Sequence, residues 1–93
     1  MKDARVRIVD DVVSRVLDDE VVILNLQSGT YFGLDAIGAR IWELIGQHGS
    51  VPAIVDDIVR EYDVDRARCT EDVSRLLEEL RDKGLIDITD DHA

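Results

Sequence analysis

From Val12 to Leu34 apolar and polar positions alternate with a period near two. Beyond Leu34 they recur every three to four residues. The first region predicts strands. Val13-Ser14-Arg15-Val16-Leu17 reads as one strand, and Asp18-Asp19-Glu20 as a turn. Val21 to Leu26 is the most β-branched run of the chain and forms the second strand. Gln27-Ser28-Gly29 follows, and Gly29 supplies the positive φ that a tight hairpin demands. Thr30 to Leu34 returns as the third strand, completing an antiparallel meander. Alternation assigns Val22, Leu24 and Leu26 to one face, with Phe32 and Leu34 as their partners on the neighbouring strand.

The second region predicts three helices. Asp35 caps the first, whose stripe is Ile37, Ile41, Trp42, Leu44 and Ile45. Gly49 ends it, and Ser50 caps a second helix with Pro52 in the first turn and Ile54, Val55, Ile58, Val59 and Tyr62 on its apolar face. The third helix runs from about Asp65 to Lys83 on Val73, Leu76, Leu77 and Leu80, and Gly84 stops it. Leu85 to Ile88 reads as a short strand or a packed tail. Strands segregated from helices make an α+β fold: a three-stranded antiparallel sheet followed by three helices, similar to a winged helix-turn-helix. The expected organisation is an N-terminal arm or short edge strand over residues 1–11, one domain over 12–88, and a flexible tail over 89–93.

The 93 residues suffice for one modest core and leave little room for a deep catalytic cleft. The net charge of −10 and a pI of about 4.4 oppose nucleic-acid binding, which needs a basic face. The third helix itself carries Glu71, Asp72, Glu78, Glu79 and Asp82. A winged-helix DNA-binding regulator is therefore the weaker alternative. No apolar run reaches the roughly 18 residues that span a membrane, and Met1 to Asp10 lacks the apolar core of a secretory signal. The single Cys69 suits a reducing cytoplasm.

Catalytic chemistry finds no foothold. His48 and His92 have no Cys or carboxylate at metal-ligand spacing, and Cys69 has no nearby histidine. Gly29 and Gly33 flank a strand rather than opening a helix, so no nucleotide-binding loop is present. The reading is a protein that is not an enzyme and needs no cofactor or metal. The distinctive feature is an edge. Thr30, Tyr31, Phe32, Gly33 and Leu34 hold no Lys, Glu or Pro and carry two of the few aromatics. Such an edge accepts a strand from a partner: backbone hydrogen bonds give affinity and side-chain pockets give selectivity.

The segment Val22 to Trp42, VILNLQSGTYFGLDAIGARIW, resembles the PqqD family in its order of strand, glycine turn, aromatic strand, Leu-Asp and Trp-bearing helix. Val55 to Tyr62 is similar to the family's second helix, and Asp72-Val73, Leu76-Leu77, Leu80 and Gly84-Leu85-Ile86 to its ending. The resemblance implies a winged-helix-like domain that recognises the leader of a ribosomally made precursor peptide. The leader would add beside the third strand and lie against the third helix, where Cys69, Asp72, Arg75 and Leu76 fall to one side of the core stripe. The acidic, free-standing form most resembles members that serve lasso-peptide biosynthesis. That implies as partners a leader peptide, a separate leader peptidase of the cysteine-protease type and a cyclase, with the chain itself a monomer or weak dimer. Chaperones of quinone biosynthesis, which work with a radical SAM enzyme, carry a Pro-Glu-Arg-like turn where this chain has Leu26-Gln27-Ser28-Gly29. That pathway is a further alternative.

Overall fold

The computed structural model describes residues 4–18 and 20–90. The elements are β1 (Ala4–Ile8), β2 (Val12–Leu17), β3 (Glu20–Asn25), β4 (Tyr31–Leu34), α1 (Ala36–Gln47), α2 (Val51–Tyr62), α3 (Arg66–Asp82) and β5 (Ile86–Asp90). The expected meander is present as an antiparallel sheet of order β2-β3-β4, and three helices follow it. Asp35, Ser50 and Asp65 cap the helices, each side chain accepting a hydrogen bond from a first-turn amide.

The ends of the chain depart from expectation. β1 and β5 pair as a second, two-stranded antiparallel sheet, with Val6 opposite Ile88 and Ile8 opposite Ile86. Residues 4–8 thus take the strand reading of the two expected for them, paired with the far end of the chain, and Thr89 and Asp90 belong to β5 rather than to a tail. Residues 1–3 and 91–93 lie outside the described residues. This ribbon packs on the helices: Ala4, Val6 and Ile86 are buried with the core. β1 also crosses the α1–α2 turn, where the Val6 amide donates to the Gly49 carbonyl at 2.7 Å. Gly49 has φ +71°, and a Cβ there would meet the Val6 carbonyl oxygen at 2.3 Å. Glycine is required at this crossing for both reasons.

The sheet register corrects the predicted faces. Ile23 stands opposite Phe32, and Val21 opposite Leu34. Ile23 and Leu34 are buried, and Val21 and Phe32 pack against the core. Val22 and Leu24, opposite Gly33 and Tyr31, turn outward instead. A slip of one residue exchanges the faces of a strand, and Val21 to Leu24 is apolar throughout, so alternation alone could not choose between them. The core lies between the inner face of this sheet, the three helices and the ribbon. Ile23, Leu44, Ile54, Val73, Leu77, Leu80, Leu85 and Ile86 are fully enclosed. β2 is the exception: Val12 is half-buried and the rest of the strand is exposed.

Candidate peptide-binding groove

Among the described residues β4 is an edge strand, hydrogen-bonded only to β3. Its free side opens onto a groove of about 470 Å³. Phe32, Gly33 and Leu34 form one wall. The opposite wall is α3, which presents Arg68, Asp72, Leu76 and Glu79 at steps of four, four and three residues, one ridge of a helix. Cys69 and Val73 join this wall from the core side. The floor comes from Ile37 and Ile41 of α1 and Ile58 of α2, and Val64 closes one end. The lining is therefore apolar at its base with charge along the helical rim. An aliphatic or aromatic side chain would be desolvated there, while its backbone could still meet the free edge of β4.

The two walls are tied together at one end by Asn25. Its Oδ1 accepts from the Gln27 and Ser28 amides at 2.9 and 3.1 Å, and its backbone carbonyl accepts from the Gly29 amide at 2.8 Å. These bonds wind the β3–β4 turn, in which Gly29 takes φ +77°. Its Nδ2 donates to the Gly84 carbonyl at 3.0 Å, just past the end of α3. One side chain thus fixes the strand wall relative to the helix wall. Nearby, the Lys83 ammonium lies 5.9 Å from the centre of the Phe32 ring, a second link between α3 and β4. Arg40 of α1 grips Glu61 of α2 with two bonds of 2.9 and 2.8 Å and reaches Glu43 at 3.2 Å. The Arg40 hydrogen bonds hold the Glu61 carboxyl below its ordinary range, although partial burial opposes the shift.

Of the residues singled out from sequence, Phe32, Gly33, Leu34, Cys69, Asp72 and Leu76 line the groove. Thr30, Tyr31 and Arg75 do not. Thr30 shapes the turn, its amide donating to the Ser28 hydroxyl. Tyr31 is 70% exposed and is paired with the outward-facing Leu24. Arg75 points away and pairs with Asp72 at 3.4 Å, beside a shallow dip lined by Thr70, Glu71 and Ser74. Cys69 is almost fully enclosed, and burial, aided by the Asp72 carboxylate, pushes its thiol up. A protonated, enclosed thiol is a poor nucleophile. The floor residues Ile37, Ile41 and Ile58 were not anticipated as site residues. Their helical stripes carry them both into the core and to the groove base, and periodicity does not separate the two roles.

The family model "Coenzyme PQQ synthesis protein D (PqqD)" matches residues 20–86, which run from the start of β3 to the start of β5. The chain belongs to the PqqD family. Every element that builds the groove lies within the matched region, whereas β1 and β2 precede it. A PqqA binding protein of Rhodopseudomonas palustris (strain BisB5) is 38% identical over 52 residues, 56% of this chain and 51% of that protein. The chain thus matches about half the length of this curated relative. Among solved structures, TbiB1 in complex with the TbiA(beta) leader peptide is 47% identical, with a TM-score of 0.81 over 94% of this chain and 98% of that one. A lasso peptide synthetase B1, complexed with the leader peptide, has a TM-score of 0.78 at 24% identity, over 88% and 96% of the two chains. This second likeness shows a shared fold. Among the described residues no group of three His, Cys, Asp or Glu side chains is placed to hold a metal ion. Nor is any helix long and apolar enough to cross a membrane.

Proposed function

We propose that this protein captures the leader segment of a ribosomally made precursor peptide and presents it to separate maturation enzymes, without catalysing a step itself. The observation that carries this reading is the junction of an unpaired strand edge with an apolar groove. The edge of β4 offers main-chain partners, and Phe32, Leu34, Ile37, Ile41 and Leu76 offer pockets beside it. Affinity comes from added strand pairing and buried apolar area, and selectivity from which leader side chains alternate into the groove. The TbiB1 structure, 47% identical and solved with a leader peptide bound, supports the same use of the fold.

Within this reading, Thr30 to Leu34 receive the leader as a strand, and Asp72 and Leu76, with Cys69 behind them, form the facing wall. Arg75 contributes only by holding Asp72. The partner enzymes are a cysteine-protease-type leader peptidase and a cyclase acting afterwards, as in lasso-peptide maturation.

The test is calorimetry with a leader peptide of about 15–25 residues, paired with hydrogen exchange. Binding should need neither metal nor nucleotide. Amides of Tyr31 to Leu34 should exchange more slowly in the complex, as should those around Asp72 to Leu76. Protection confined to α1 and α2, with β4 unchanged, would show that the leader uses a helix groove instead.

A further inference from the structure

The sheet has a second free edge, and the groove does not use it. β2 pairs with β3 on one side only. Edge strands are ordinarily guarded by Lys, Pro or a bulge, yet Val12–Leu17 carries a single charge, Arg15. Val13 is 43% exposed, Val16 74% and Leu17 56%. These are three of the eight large apolar side chains left exposed among the described residues, and two of the others, Ile37 and Val64, line the groove. β2 thus carries exposed apolar surface of its own, apart from that of the groove.

The ends of β2 are acidic. Asp11 and Asp18 sit at its two termini with φ of +63° and +56°, turning the chain sharply away, and Asp10 and Glu20 stand beside them. All four are exposed. This bracket argues against a second copy of the chain as the occupant. Antiparallel pairing of two β2 strands sets residues of one face opposite each other, and with Ser14 opposite Ser14 it brings Asp10 opposite Asp18 at both ends. The adjacent allowed register sets Arg15 opposite Arg15. Like charges directly opposite destabilise a strand pair, and each chain already carries a net charge of −10.

We propose that the free edge of β2 is a second strand-addition site, taking an extended segment of a different protein that is apolar at alternate positions and has Lys or Arg at both ends. The apolar positions would cover Val13 and Leu17, which share one face of β2, and the basic ends would meet Asp10 and Asp11 at one end and Asp18 at the other. β2 and β4 lie on opposite sides of β3, about 10 Å apart at the usual strand spacing. Both edges can therefore be filled together, and this proposal stands whether or not the groove takes a leader peptide.

The test uses the full chain, labelled with ¹⁵N, and the synthetic peptide Lys-Lys-Val-Thr-Val-Thr-Val-Lys-Lys. The same peptide with Glu in place of every Lys is the control. The lysine-flanked peptide should perturb and protect amides 12–17 and leave Tyr31 to Leu34 unchanged, with binding about tenfold weaker at high salt. The glutamate-flanked peptide should not bind. Leu17→Lys puts a charge on a side chain already in solvent and should abolish binding. Asp10→Asn and Asp18→Asn together keep the turn geometry, since Asn tolerates positive φ. They should weaken binding about tenfold and remove most of the salt dependence. Equal binding of the two peptides would overturn the proposal, as would protection at β4 in place of β2. So would retention of full affinity by Leu17→Lys, or protection of amides 12–17 in the chain alone as its concentration rises, which would make a second copy the occupant.

Discussion

The two sheets of this protein are built from similar residues and serve opposite ends. The β1–β5 ribbon joins the two ends of the described chain and buries Ala4, Val6 and Ile86 at 1%, 5% and 1% exposure. In the β2–β3–β4 sheet, Ile23 and Leu34 are buried, while Val13, Val16, Leu17 and Tyr31 stay in solvent. Both are antiparallel and rich in β-branched residues. The difference is what covers them: the ribbon lies across the helices, whereas the sheet touches them with one face and leaves two edges free. Apolar residues in the ribbon stabilise the fold. Apolar residues at the rim of the sheet are available for recognition.

The strongest way to break this comparison is to weaken the ribbon. Ile86→Ala removes an enclosed side chain and should destabilise the domain by about 2–5 kcal/mol, measured by urea denaturation. Under conditions where the variant is folded, leader affinity should change by less than about threefold, well under 1 kcal/mol. A large loss of affinity in the folded variant would show that ribbon and groove are coupled.

The next effect lies in the groove. Leu76 is half-buried on the α3 ridge and packs against the edge of the core. Leu76→Asp would place a carboxylate where an apolar leader side chain has to be desolvated, and should weaken leader binding at least about thirtyfold, near 2 kcal/mol. Calorimetry reads the affinity and thermal unfolding reads the fold. A matching change at the exposed, outward-facing Tyr31, by Tyr31→Ala, should lower the melting temperature little. If Tyr31→Ala unfolded the domain, its ring would be part of the core.

How legible these roles were in the sequence differs by element. The helices were plain because Asp35, Ser50 and Asp65 mark their starts and the 3.6 period marks their faces. The strand faces were not, because Val21-Val22-Ile23-Leu24 is apolar on both sides. Only the tertiary contact of Ile23 with the helices selects the inner face. The ribbon joins residues about 80 positions apart, Arg7 with Asp87 for example, and no local pattern signals such a pairing. On α3, spacing placed Asp72, Arg75 and Leu76 together on one side of the core stripe. The rotation of the helix against β4 then separates Leu76 and Asp72, which line the groove, from Arg75, which does not.

A smaller effect tests the tie between the groove walls. Asn25→Ala removes the acceptor that winds the turn and the donor to the Gly84 carbonyl, and should destabilise the domain by about 1–2 kcal/mol. Asn25→Asp keeps the acceptor and loses only the donor. Its turn should persist, so a loss of leader affinity in Asn25→Asp with little change in melting temperature would assign that affinity to the spacing of β4 and α3. If both variants bound leader as tightly as the native chain, the two walls would be held in place by packing alone.

The smallest effect is expected at Arg40 and Glu61, which fasten α1 to α2. Both side chains are about one-third exposed, so water screens the pair and its contribution is modest. Its sign is nevertheless fixed. The Arg40 hydrogen bonds hold the Glu61 carboxyl below its value in the unfolded chain, so the folded state binds this proton less readily than the unfolded state does. The contribution is therefore fully present above the ordinary glutamate range, near pH 4.5, and is lost as pH falls through the lowered folded value. Glu61→Gln should be slightly less stable than the native chain at neutral pH, and the two stability curves should converge as the solution is acidified below that range. The difference should also shrink at high salt. Denaturation curves taken across that interval read the effect directly. Parallel curves, with a constant offset at every pH, would mean that Glu61 acts through packing rather than charge, and that α1 and α2 are held together without the ion pair.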